Sequence, residues 1–130
     1  MIEKQLVRDY PERPYANNPE DVVKFCEDFR DSEVEVFVAF MMDTRLRLIR
    51  REVVSVGNID SSIVCPREIF KRAVQANAHK VILVHNHPSG CTDASDEDKQ
   101  ITKHLKKVGE MLNLKIQDHI IVTKNSYQQI

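Results

Sequence analysis

The sequence predicts a mixed α/β domain of the α/β or α+β kind, a central sheet layered with helices. Two short apolar, β-rich runs, EVFVAFMM (35–42) and KVILV (80–84), have the length and composition of doubly covered strands. Two segments, REIFKRAVQANA after Pro66 and residues 95–112, carry apolar side chains at helical spacing. Between and around them the order reads helix, hairpin, helix, strand, helix, strand, which is a layered arrangement.

Each element follows from local chemistry. Residues 1–17, with Pro11 and Pro14 and no apolar periodicity, form an N-terminal arm, and residues 18–130 form the domain. Asn18 caps a helix that opens at Pro19, has Glu20 and Asp21 in its first turn and runs to about Arg30. Its apolar stripe is Val22, Val23, Cys26 and Phe29. The strand at 35–42 turns at Asp43 and Thr44 into RLRLIRREVVSV (45–56), the second arm of a hairpin, and Gly57 ends it. Pro66 starts the next helix, with Ile69, Phe70, Ala73 and Val74 on one side. KVILV is a buried strand. The helix over 95–112 places Ile101, Leu105, Val108 and Leu112 on the core, and KIQDHIIVT (115–123) is a strand that Lys124, Asn125 and Ser126 turn into a last short one.

Composition excludes several classes. A chain of 130 residues is large enough to bury one core, and 42% hydrophobic with 30% charged residues is globular usage. The formal charge of −1 announces neither nucleic acid nor an acidic membrane as partner. No stretch approaches the ~20 apolar residues of a membrane span, and the N-terminus has no signal-peptide core. Cys26, Cys65 and Cys91, odd in number and far apart, read as reduced thiols of a cytoplasmic protein.

The chemistry concentrates in VILVHNHPSGCTDASDED (81–98). His85 and His87 end a strand, and side chains at i and i+2 leave on one face with Cα atoms ~6.5–7 Å apart. Two imidazoles at that spacing can share a Zn²⁺ at about 2.0–2.1 Å each. Asn86 points to the other face, and Pro88 stops the strand. Asp98 is the third candidate ligand. Counted back from Leu105 and Ile101, the core stripe of the last helix reaches Asp98, where an unpaired charge would be costly. Asp96 and Glu97 are solvated first-turn acids. Taken alone, Ser95-x-x-Asp98 reads as a capping box before it reads as a ligand, and a bare H-x-H is weak; the combination is specific.

With H-x-H, seven residues (PSGCTDA, 88–94) and S-x-x-D, the sequence resembles the JAB/MPN (JAMM) metalloprotease superfamily. VVSVGNIDSSIVCPREIFKRAVQANAHKVILVHNHPSG (53–90) and LKIQDHIIV (114–122) resemble its RadC-like family more closely, over about residues 18–128. The resemblance implies a JAB/MPN, cytidine-deaminase-like mixed sheet flanked by helices. It implies one Zn²⁺ per chain held by His85, His87 and Asp98 with a bound water, Ser95 stabilising the oxyanion, and Glu35 as general base and then acid. Glu35 shares a strand face with Phe37 and Ala39, and Glu33, nearer the strand's start, is its rival. The activity implied is hydrolysis of an amide or isopeptide bond in a peptide or protein.

The chain departs from the family in three ways. Ala94 stands where relatives often have proline. Cys91 lies in the ligand loop, too close to His87 for an unstrained fourth bond to zinc. Relatives usually carry a helix-hairpin-helix region ahead of this domain and these residues contain none, so a short member or an excised domain is expected. His104 reads as a surface residue and His79 as a loop residue; His119 reads as a buried, hydrogen-bonded structural histidine, with a supporting role at the metal as the second reading. KHLKK (103–107) reads as a solvated helix face. Two further functions compete with hydrolysis: an accessory module bound to DNA, suggested by the family's historical DNA-repair label, and a non-catalytic scaffold that uses the fold to form a homodimer.

Overall fold

The computed structural model describes residues 6–59 and 64–130. In chain order the elements are β1 (Arg8–Asp9), α1 (Pro19–Val23) with a 3-10 turn (Lys24–Cys26), β2 (Val36–Met42), β3 (Leu48–Val56), α2 (Pro66–Gln75), β4 (Lys80–Asn86), α3 (Asp96–Met111), β5 (Lys115–Val122) and β6 (Tyr127–Gln129). One sheet runs β1-β3-β2-β4-β5-β6. Its neighbours are antiparallel except β4 and β5, which are parallel because α3 carries the chain back across the sheet.

β2 is central and buried along its whole length, as its two apolar faces require. Val36, Val38, Phe40 and Met42 pack with Val22, Val23, Cys26 and Phe29 on one face. Phe37, Ala39 and Met41 pack under α2 and α3 with Ile69, Phe70, Ala73, Ile101 and Leu105 on the other. The result is the mixed sheet between helices that the sequence predicts. No helix of the described residues is long and apolar enough to cross a membrane.

Several details differ from expectation. The first helix does not reach Arg30 as α-helix: it tightens at Lys24–Cys26, and Arg30 turns aside to donate to the carbonyls of Thr123 and Ser126. β3 begins at Leu48 because Leu46 adopts φ +61 in the turn, where the Asp43 side chain accepts from the backbone N–H groups of Arg45 and Arg47. Arg51, which the sequence does not single out, is wholly buried: it lies over the rings of Phe29 and Phe40, donates to the carbonyls of Leu6 and Phe25, and pairs with Asp28. The arm is thereby tied to the sheet, and its residues Arg8 and Asp9 pair with β3. Val74 and Leu112 are exposed rather than core. At the end of α3 Asn113 turns with φ +58, and Leu114 takes the buried place, its N–H donating to the carbonyl of Gly109.

The end of β4 fixes where the site can form. Phe37 lies opposite His85 in the β2–β4 ladder. One step further the ladder is replaced by a side chain: the buried Asn86 accepts from Val36 N–H at 2.6 Å and donates to the carbonyls of Ser32 (3.2 Å) and Val34 (3.0 Å). Every polar group of this amide is used, and all its partners lie in residues 32–36, the segment that carries Glu35. Replacing Asn86 by alanine strands a buried N–H, so Asn86→Ala is expected to lower stability by about 2–3 kcal/mol in urea unfolding. Loss of protection from hydrogen exchange at Val36 N–H should accompany it.

Candidate metal centre

Period-two alternation of β4 puts His85 and His87 on the face covered by α3, and the helix start brings Asp98 against them. His85 Nε2 lies 3.3 Å from Asp98 Oδ1, and His87 Nε2 lies 3.2 Å from Asp98 Oδ2 and 3.0 Å from His85 Nε2. One ligand atom from each of the three residues falls within 4.8 Å of the others. His85 and Asp98 are buried, and His87 is partly so. Phe37 stacks on His85, with ring centroids 5.5 Å apart and planes at 22°, and fixes its tilt.

The residue that closes the capping box and the carboxylate that faces the two histidines are the same, Asp98. Ser95 Oγ accepts from Asp98 N–H at 3.0 Å, and Asp98 Oδ2 accepts from Ser95 N–H at 2.9 Å. A carboxylate has lone pairs enough for the cap on one side and the histidines on the other. Burial alone would raise the pKa of Asp98. The polar surroundings of the carboxylate, His85 first and then the Ser95 N–H of the cap, outweigh it and hold the carboxyl well below the usual carboxylate range. The group is therefore an anion when the domain is folded at neutral pH.

The imidazole protons are committed away from the centre. His87 Nδ1 is 2.8 Å from the Cys91 carbonyl, which only accepts, so Nδ1 carries a proton and the neutral ring has its lone pair on Nε2. His85 Nδ1 meets His119 Nε2 at 2.8 Å, and His119 Nδ1 meets the Thr102 hydroxyl. Burial drives the pKa of His119 well below its ordinary value. Cys91 itself is exposed and contributes its carbonyl.

The remaining predicted residues sit at the rim. Glu35 is half-buried, one position before β2, on the strand face of Phe37, and continuing the β2–β4 register would set it opposite His87. Its Oε2 accepts from Ile59 N–H at 2.9 Å, and its carbonyl from Gly57 N–H at 2.8 Å, so the strand end of β3 holds it. Among the described residues it makes no hydrogen bond to His85, His87 or Asp98. Glu33 is exposed. Ser95 is the exposed N-cap of α3. His79 and His104 are exposed, as are Lys103, Lys106 and Lys107 around the buried Leu105. Thr102 was not singled out by its sequence, although the signal was present: it follows Asp98 by four residues and interrupts an apolar stripe with a hydroxyl.

Residues 16–129 match the RadC-like JAB domain family. The chain belongs to that family. It is 46% identical over 110 residues to a UPF0758 protein of Finegoldia magna, covering 84% of this chain and 49% of that one. A UPF0758 protein of Thermotoga maritima is 42% identical over 106 residues, 82% of this chain and 48% of the relative. One from Haemophilus influenzae is 40% identical over 126 residues, 96% of this chain and 57% of the relative. The chain thus spans about half the length of the curated bacterial relatives it matches.

The cap can be weighed separately from any metal. In metal-free protein Ser95→Ala removes the acceptor for Asp98 N–H and is expected to cost about 1 kcal/mol in denaturant unfolding.

Proposed function

We propose that this RadC-like JAB domain is a zinc-dependent metallohydrolase that cleaves an amide bond, peptide or isopeptide, in a peptide or protein substrate. The carrying observation is the convergence of one buried carboxylate and two imidazole Nε2 atoms whose protons are held elsewhere. Two lone pairs and an anion at 3.0–3.3 Å repel one another unless a cation lies between them. Two nitrogens and one carboxylate oxygen form a zinc donor set, and three protein ligands leave a coordination position open, the mark of a catalytic rather than structural centre.

When bound, zinc supplies Lewis acidity and lowers the pKa of a water towards ~7. The rest falls to the chain's own groups. Glu35 takes the proton of the attacking water on its carboxylate and returns it to the leaving amine; Ile59 N–H occupies Oε2, and among the described residues none donates to Oε1. The Ser95 hydroxyl already accepts from Asp98 N–H, so its single proton is free to donate to the developing oxyanion. Phe37 and the α3 start keep water from the buried side of His85.

Metal analysis paired with a peptidase and isopeptidase screen tests the proposal. Wild type and Glu35→Gln should both hold about one zinc per chain, while turnover of the variant falls roughly 10²–10⁴-fold. His87→Ala should lose the zinc. Wild-type protein without stoichiometric zinc, or a His87→Ala variant with undiminished zinc, would sink the reading.

A further inference from the structure

We infer that Thr102 and His119 are positioning residues: a one-way hydrogen-bond relay through them locks His85 in the Nδ1–H tautomer and keeps its Nε2 bare beside Asp98. The direction of the relay follows by elimination from its far end. Thr102 Oγ1 lies 2.8 Å from the Asp98 carbonyl, and a carbonyl only accepts, so the hydroxyl proton goes there. Thr102 has no second proton and must accept from His119, which therefore carries its proton on Nδ1. Above the ordinary imidazole range His119 carries a single proton, so its Nε2 is bare, and at 2.8 Å this must accept from His85 Nδ1. His85 is left with its lone pair on Nε2, 3.3 Å from the Asp98 carboxylate.

The relay closes on itself. It starts at one candidate ligand, crosses β5 and α3, and ends on the backbone of another. His119 and Thr102 are 1% and 4% exposed, so water does not compete for either of them. A histidine whose far nitrogen donates to a fixed acceptor is a better and better-aimed ligand, and loss of such a partner typically weakens metal binding 10–100-fold. The relay rests on the metal-centre reading for its use and not for its geometry.

Two measurements test it. Long-range ¹H–¹⁵N spectra of metal-free protein at about pH 8.5, roughly two units above the ordinary imidazole value, report the tautomer directly. Wild-type His85 should carry its proton on Nδ1, and Thr102→Val, which keeps the shape but removes the hydroxyl, should show mixed tautomers. Thr102→Ser should restore the wild-type pattern. Zinc affinity, measured by chelator competition with the metal alone, should fall about 10-fold in Thr102→Val and 10–100-fold in His119→Ala, and recover in Thr102→Ser. A wild-type His85 protonated on Nε2 overturns the relay even if zinc binds. Nδ1 protonation in a wild type that takes up no zinc upholds the relay and counts against the metal reading alone. Equal zinc affinity in Thr102→Val and Thr102→Ser would overturn the claim that the relay governs binding.

Discussion

Everything at the site depends on the alternation of one strand end. Because successive side chains of β4 leave on opposite faces, His85 and His87 must share the face under α3, and Asn86 must enter the other layer. There the amide does the work of a ladder hydrogen bond and fixes residues 32–36. Three consecutive residues thus set both halves of the centre: two donors on one face, and the placement of the segment bearing Glu35 from the other. A slip of one residue in the β2–β4 register would exchange the faces and abolish both.

The buried carboxylate is the second constraint, and it shows why local and tertiary readings need not compete. A capping box and a ligand look like rival explanations for Ser95-x-x-Asp98. In the structure Oδ2 serves the cap and His87 while Oδ1 faces His85. The cap orients the carboxylate by holding the first turn of α3, and a cation held there would offset the desolvation of an anion so oriented. The helix start is therefore stabilised by the same group that could hold a metal ion with His85 and His87.

Much of this was legible in the sequence because it obeys short-range rules. Strand and helix periods gave the layers, and stepping back from Leu105 to Ile101 to Asp98 located a charge on the core side. What escaped was decided by distant partners. Arg51 sits in an alternating charged strand, and only the packing of Phe29, Phe40 and Asp28 around it makes a buried guanidinium tolerable. Leu112 fits the helical stripe, but the positive φ of Asn113 hands its place to Leu114. Thr102 gains its role from His119, seventeen residues later on another element, which no local pattern announces. The position of Glu35 follows from register with β4 and from Ile59, again contacts between segments far apart in sequence.

The loop of residues 88–94 bears on how far the ligand geometry depends on each part. Residues 88–91 are exposed, and Gly90 has φ +85 with open space around it, so the loop itself has little packing to stiffen it. Yet neither end of the ligand set relies on that stiffness. His87 is held at its far nitrogen by the Cys91 carbonyl, and Asp98 by the cap below and by Thr102 one turn above. His85 is held through His119 to the same turn of helix. The loop needs only to span the gap between two anchored ends, so its composition can vary while the donors stay in register.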